Sequence, residues 1–204
     1  MTDCTLLRGI QDAALHEFCQ KGFQNASLRK IVRDAGVTTG AFYGHCASKE
    51  ALFGTLVEPV YQGLLDRFKA AQPDFSALSE DEPVPALGDI CGVPFYWMSD
   101  FVYETLPILR LLLTGARGTR YADLLDRIIG IELETIQAYG RALTARGVQL
   151  RPVDPVLTRI LTQSLFTGFF QLVLQDIPRE SAPEYIRELK EFYNSGWRTL
   201  MGVQ

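Results

Sequence analysis

The segment at residues 38–45, TTGAFYGH, brings hydroxyl, phenol and imidazole groups together on a stretch with short neighbouring side chains. Hydroxyls and backbone N–H groups donate hydrogen bonds that suit phosphate oxygens, and short side chains let a helix approach the edges of bases. Arginine, lysine, asparagine and glutamine, the usual bidentate readers of bases, do not occur in it. We therefore predict a helix that lies against DNA and reads it through Tyr43, the threonines, methyl contacts or DNA shape.

The residues around this segment predict how it is held. Apolar residues precede it at helical spacing, at Leu28, Ile31, Val32 and Ala35, and Gly36 is expected to end that helix. Ser48 is a candidate cap for a further helix after it. Two short helices joined by a tight turn are the pattern of a helix-turn-helix, which places its second helix in the major groove of DNA.

Helical signals recur along the whole chain and strand signals are scarce, so we predict an all-α fold. Gly22 should end the first helix, while Asp154 and Ser181 should cap the last two. The acidic, proline-containing stretch 72–88 is predicted to be a loop. The predicted helices cover residues 5–21, 48–68, 89–103, 106–114, 119–146 and 154–176, together with the two short helices within about 27–46 and a last helix that opens at 181–184.

The predicted helix at 154–176 is apolar on nearly all sides, and such a helix is usually buried on all sides. One interpretation is a central position within its own domain. The other is an interface in which the last two helices of two subunits form a four-helix arrangement. The pattern favours the second, so we expect a homodimer.

The composition argues against several other classes of function. His16 and His45 both fall within the first 50 residues, and the remainder has no nucleophile motif, phosphate-binding loop or metal-ligand spacing. We therefore expect no enzyme, no metal and no cofactor. No apolar run reaches the roughly 18 residues of a membrane span, and the N-terminus does not resemble a secretory signal. A cytoplasmic location without membrane contact is expected, with four free thiols at Cys4, Cys19, Cys46 and Cys91.

The charge is distributed unevenly, in the direction that DNA binding requires but only weakly. The chain has a net charge of −4, yet residues 1–50 hold six basic against five acidic side chains. Residues 1–50, the DNA-binding head, thus carry a net charge of only +1, while the remainder of the chain is acidic. Because non-specific attraction to phosphate grows with the number of cations, we expect modest, salt-sensitive binding that dimerisation would strengthen.

The motifs AALHEFCQKGF at residues 13–23 and SLRKIVRDAGVTTGAFYGHCASKEALF at 27–53 together resemble the N-terminal domain of TetR-type (TetR/AcrR) transcriptional regulators. The resemblance covers about residues 5–65. It implies a DNA-binding domain at 4–64, with the helix-turn-helix at about 27–46, and a helical ligand-binding and dimerisation domain at 65–204. Cys46 and Val32 replace the phenylalanine and alanine that the family often has there, and the two changes compensate in volume.

The resemblance also implies which residues touch DNA. Ser27 and Arg29 correspond to phosphate contacts, and Tyr43 corresponds to the DNA-contacting tyrosine of the family. His45 and Lys49 correspond to backbone contacts. The positions where bases are read correspond to Thr38, Thr39, Gly40 and Ala41.

Aromatic side chains in the remainder of the chain could form either a hydrophobic core or the wall of a ligand pocket. The resemblance favours a pocket for a small hydrophobic or amphipathic effector. The candidate lining residues are Tyr61, Trp97, Met98, Phe101, Tyr103, Phe166, Phe169 and Phe170.

These expectations describe a homodimeric repressor that binds an inverted-repeat operator in double-stranded DNA and is released by its effector. The alternative is a helical adaptor that keeps a vestigial DNA-binding head and regulates through protein contacts. A sensor without a small ligand is a third interpretation.

Overall fold

The computed structural model describes residues 3–75 and 92–202, which fold into α-helices and short 3₁₀ segments and contain no β-strand. The predicted all-α fold is thus confirmed. In chain order the helices are α1 Asp3–Asn25, α2 Leu28–Asp34, α3 Thr39–His45, α4 Lys49–Ala70, α5 Gly92–Glu104, α6 Leu106–Gly115, α7 Leu124–Ala145, α8 Pro155–Leu174 and α9 Ala182–Met201, with the 3₁₀ turn at Arg179–Ser181.

Local side-chain hydrogen bonds start several of these helices where the sequence indicates. The Ser48 hydroxyl accepts from the Ala51 N–H at 3.0 Å at the start of α4. Asp154 accepts from the Val156 and Leu157 N–H groups at 2.8 and 3.1 Å at the start of α8. Each bond satisfies an N–H group that has no partner inside the first turn of a helix.

Two expectations about helix ends are wrong. The helix predicted from residue 119 begins at Leu124, because Thr119 and Ala122 instead donate to carbonyl oxygens three residues earlier and form turns. Ser181 makes no side-chain cap, since it belongs to the 3₁₀ turn before α9. Most of the loop predicted at 72–88 lies outside the described residues.

The chain divides into two compact units. Residues up to Gly63 together with Thr105–Leu124 form the first unit, and Leu64–Glu104 with the residues from Leu125 onward form the second. The sequence assigns 105–124 to the C-terminal domain, whereas α6 from this segment packs against α1. The domain boundary at residue 64 stays a prediction.

The core of the first unit is aromatic and forms around α1. The Phe18 ring lies 5.0 Å from the Phe53 ring, and Phe23 lies 5.3 Å from Phe53, measured between ring centres. Gly22 interrupts α1 with φ 68° and ψ 169° where the helix is predicted to end, although helical residues resume after it and extend to Asn25. A Cβ added at Gly22 would make ordinary contact with the Gly115 backbone at 3.4 Å, so the positive φ, and not a lack of space, favours glycine here.

A second aromatic core fills the second unit. The Phe166 ring lies 5.5 Å from Phe68 and 5.8 Å from Phe95, and Phe169 contacts both Phe95 and Phe170. Trp197 and Met201 of α9 are buried with Tyr139 and Leu143 in a further cluster. Much of the aromatic content that could have lined a pocket is therefore used for packing.

Helix α8 is not covered on all sides by its own unit. Val156, Leu157 and Ile160 are exposed, whereas its buried residues lie mostly in the second half, at Leu165, Phe166, Phe169, Phe170, Leu172 and Val173. The helix is also long and apolar enough to cross a membrane by length and composition. Core helices share these properties, and the buried side chains of α8 serve as core here, so this observation is weak support for a membrane span.

Candidate nucleic-acid interface

Helix α3 is anchored through one side chain and exposes the residues around it. Phe42 is fully buried, whereas Tyr43 is 55% exposed. The Thr38 hydroxyl accepts from the Ala41 N–H at 3.1 Å and caps the helix. Thr39, Gly40 and His45 are also exposed, and Ala41 is half-buried. Polar groups of the predicted reading helix are thus presented outward.

Helix α2 and the turn after it hold α3 in place. Ile31 and Val32 are buried, so α2 packs on the core of the first unit through one face. Gly36 has φ 66°, a backbone conformation that favours glycine, and the Val37 N–H donates to the Val32 carbonyl at 3.2 Å. This is the tight turn that the sequence predicts between the two helices.

The predicted phosphate contacts lie at the start of α2. Ser27 is exposed, and its hydroxyl accepts from the Lys30 N–H at 3.3 Å. Arg29 is exposed as well. Because the serine hydroxyl caps α2 and can still donate its own proton, capping and a phosphate contact are compatible.

Glu17 of α1 is a buried acid that the sequence analysis does not single out. Its side chain is only 3% exposed. One carboxylate oxygen accepts from the Ser27 N–H at 3.1 Å, and the other lies 2.8 Å from the Lys30 Nζ. The signal was available, since Glu17 shares the apolar face of α1 with Ile10 and Ala14.

The charged side chains around Glu17 shift one another's pKa values in the expected directions. The Lys30 ammonium, followed by the Ser27 N–H, lowers the pKa of Glu17. Lys30 also lies 2.9 Å from Asp34 Oδ2 and lowers the pKa of that carboxyl group too. The two carboxylates in turn raise the pKa of Lys30. Glu17, Lys30 and Asp34 are therefore all charged at neutral pH.

Lys49 points to the end of α1. Its Nζ donates to the carbonyl oxygens of Phe23, Gln24 and Ala26 at 2.8, 3.3 and 3.1 Å. These three acceptors match the three N–H bonds of an ammonium group. The DNA contact predicted for Lys49 would therefore require its ammonium to leave at least one carbonyl oxygen.

The residues predicted to line a ligand pocket are distributed over both units. Tyr61 belongs to the first unit, where its hydroxyl donates to Asp123 Oδ1 at 2.7 Å. In the second unit the Tyr103 hydroxyl donates to the Ile177 carbonyl at 2.8 Å. Trp97 is half-buried there, and the buried core holds Met98, Phe101, Phe166, Phe169 and Phe170.

A small cavity does occur in the second unit, with a different lining. Its free volume of about 10 Å³ accommodates roughly one water molecule. Glu132 and Thr162 are its buried polar residues, and Trp197 and Tyr193 are among its aromatic ones. None of the eight predicted pocket residues lines it, so a pocket formed by them stays a prediction.

Comparison with known proteins identifies relatives of the N-terminal part. The family model for bacterial regulatory proteins of the tetR family matches residues 10–56. An HTH-type transcriptional regulator of Haemophilus influenzae is 27% identical over 116 residues, covering 56% of this chain and 52% of that protein. The A-factor receptor protein of Streptomyces griseus is 43% identical over 51 residues, 25% of this chain and 18% of its own. The matches thus span about half or less of these relatives.

Solved structures match nearly the whole chain in fold. A bacterial regulatory protein in the tetR family from Rhodococcus superposes with a TM-score of 0.61 at 16% identity, covering 94% of this chain and 97% of that one. The TetR family transcriptional regulator PfmR from Thermus thermophilus gives a TM-score of 0.60 at 18% identity, covering 91% and 93%. The fold similarity therefore extends through both units.

Proposed function

Because the chain belongs to the TetR family, whose members are transcriptional regulators and not enzymes, we propose that it is a homodimeric repressor that a small ligand releases from its operator. The observation that carries the proposal is the exposed polar surface of α3, held outward by the buried Phe42. The proposed location of the protein is the cytoplasm, where bacterial DNA is accessible.

The proposed DNA contacts divide into two groups. Ser27, Arg29 and His45 bind the phosphate backbone and fix the position of the head on the duplex. The groups that face the bases are Thr38, Thr39, Gly40, Ala41 and Tyr43. The exposure of all of these residues except the half-buried Ala41 supports this assignment. Phosphate contacts position a protein while base contacts select the sequence.

A dimer compensates for the weak charge of one head. Residues 1–50 carry a net charge of only +1, and each additional phosphate contact adds to the affinity through release of counterions. Two heads that reach successive major grooves, about 34–36 Å apart, double the contacts and select an inverted repeat. We therefore expect one dimer to occupy one operator.

The last two helices offer the surface for this dimer. Val156 and Ile160 of α8 and Phe192 and Leu200 of α9 are exposed apolar side chains. Phe192 and Leu200 also line an open groove with Leu161 and Trp197. Because exposed apolar clusters mark sites of association, a second copy of the chain is the proposed occupant.

The second unit is the proposed sensor. The A-factor receptor protein, which matches 51 residues of this chain, is named as a receptor. By analogy we assign a sensing role to this unit, with a small hydrophobic or amphipathic effector. An effector that prefers one conformation of the dimer would shift the population towards it. Release from the operator then requires that the preferred conformation no longer holds the heads at the groove spacing.

Selection of bound duplexes from a random DNA pool tests the proposal. We expect the recovered duplexes to share an inverted repeat, with binding that weakens as salt increases. Recovery of no shared sequence, together with no binding to any duplex at low salt, would reject it in favour of the adaptor interpretation.

A further inference from the structure

We propose that Glu17 is a positioning residue for DNA binding, although it is an acid in the DNA-binding unit and does not itself touch DNA. The proposal rests on the function proposed above. Glu17 holds the start of α2 through two contacts, to the Ser27 N–H and to the Lys30 ammonium. Ser27 and Arg29, the proposed phosphate contacts, lie at and next to this point.

The cost of burying Glu17 motivates the proposal. A carboxylate that is removed from water loses hydration, and its partners must replace it. Apolar groups of similar volume often stabilise a core equally well. The apolar face of α1, with Ile10, Ala14 and Phe18 fully buried, would accept such a residue at position 17. Stability alone therefore does not call for an acid here.

The carboxylate provides directional contacts that fix the orientation of α2. A hydrogen bond from the Ser27 N–H and an ion pair with Lys30 constrain the first turn of α2 at two points three residues apart. Apolar packing has no comparable directional requirement. The end of α1 and the linker before α2 are fixed independently, since the carbonyl oxygens of Phe23 and Ala26 accept from Lys49. Glu17 thus determines the position of the first turn of α2.

Because Glu17 is negatively charged, a positioning role and general attraction to phosphate predict opposite effects of its replacement on DNA affinity. Replacement by glutamine removes one negative charge from the DNA-binding unit, and general attraction to phosphate predicts equal or tighter binding. A positioning role predicts weaker binding. Asp34 provides a matched control, because it contacts the same Lys30 at 2.9 Å. Asp34→Asn removes the same charge and leaves both contacts of Glu17 in place.

The experiment measures binding of full-length wild type, Glu17→Gln and Asp34→Asn to a fluorescent duplex selected by the wild type from a random pool. Expected is an affinity about tenfold lower for Glu17→Gln, the effect of one charge-assisted hydrogen bond, and an affinity unchanged or higher for Asp34→Asn. Equal or tighter binding by Glu17→Gln overturns the inference. Absence of wild-type binding to any duplex instead overturns the proposed function.

A loss of stability is separated from a loss of positioning by two further measurements. Val102→Ala, at a buried position of the second unit, lowers the melting temperature without touching α2, and its affinity should match the wild type below the melting transition. Amide hydrogen exchange of residues 27–30 without DNA should accelerate in Glu17→Gln and not in Asp34→Asn or Val102→Ala. Unchanged exchange there also overturns the inference.

If Glu17→Gln does not fold, Glu17→Leu replaces it, since leucine suits the apolar face of α1. The pair with Lys30 is tested by repeating Glu17→Gln in a Lys30→Met background. There the ion pair is already absent, so the second change should alter affinity less than in the wild type. An effect of the same size in both backgrounds excludes Lys30 as the partner through which Glu17 acts.

Discussion

The Lys49 ammonium lies 2.8 Å from the carbonyl oxygen of Phe23 and 4.6 Å from the centre of the phenylalanine ring. The side chain thereby joins the start of α4 to the end of α1. A cation is favourable at this end of a helix, where carbonyl groups lack intrahelical partners. Lys49 therefore has a structural role that is separate from the DNA contact predicted for it.

The first prediction is that Lys49→Met destabilises the protein without changing the salt dependence of DNA binding. Losing the charge-assisted bonds to three carbonyls should lower the free energy of unfolding by about 1–2 kcal/mol. Arg29→Met is the matched control, because the dimer loses one phosphate contact in each subunit. The slope of log affinity against log salt should therefore fall by about 1.8, or about 0.9 for each contact. A reduced slope for Lys49→Met would show that its ammonium binds phosphate after all.

The second prediction concerns two tyrosines of similar exposure. Tyr43 on α3 is 55% exposed and Tyr96 on α5 is 51% exposed, so their removal should affect stability little. Tyr43→Ala should weaken binding to the selected duplex by about tenfold to a hundredfold, the usual effect of losing one good base contact. Tyr96→Ala should bind normally in the same fluorescence titration. Equal affinities of the two variants would remove Tyr43 from the interface.

The third prediction compares two glycines of α1. Gly22 has φ 68°, a backbone conformation that L side chains rarely adopt, so Gly22→Ala should destabilise by about 1–3 kcal/mol. Gly9 has open space around its Cα, and Gly9→Ala should stabilise the helix by about 0.5–1 kcal/mol. Urea titrations followed by circular dichroism measure both. Changes of the same sign in the free energy of unfolding would show that the positive φ of Gly22 does not require glycine.

The contrast between local and distant contacts explains what the sequence could predict. The turn at Gly36 and the caps at Ser48 and Asp154 involve neighbours within a few residues, and the structure confirms them. Glu17 meets Ser27 ten residues away, and Lys49 meets Phe23 at a separation of 26. Such pairings depend on how helices pack, which residue spacing along one helix does not reveal.

The same reasoning applies to the second half of the chain. Aromatic spacing alone left core and pocket open, and the family resemblance favoured a pocket that includes Tyr61 and Phe166. Tyr61 belongs to the first unit and Phe166 to the second. A run of aromatic residues has the same periodicity whether it lines a cavity or fills a core. Only packing distinguishes the two, and here it places Phe166 in a core with Phe68 and Phe95.

The fourth prediction is a pH dependence of stability at Glu17. Its pKa in the folded protein lies below the ordinary value of 4.5, so its contribution is present above that pH and is lost as pH falls through the lower, folded-state pKa. The difference in melting temperature between wild type and Glu17→Gln should therefore be larger at about pH 7 than at about pH 3. A difference that does not change with pH would show that the carboxylate charge contributes nothing to stability.

The fifth prediction tests the proposed dimer at Phe192, the most exposed of the large apolar side chains described. At 74% exposure it contributes little to its own unit, so Phe192→Glu should leave the folded monomer intact. Burying a phenylalanine is worth about 1.5–3 kcal/mol, and a symmetric dimer contains it twice. Dimerisation should thus weaken by about a hundredfold or more, as measured by analytical ultracentrifugation. Val148→Glu places the same charge at an exposed apolar position outside α8 and α9, and it should remain dimeric. A Phe192→Glu variant that sediments as a dimer with wild-type affinity would place the interface elsewhere.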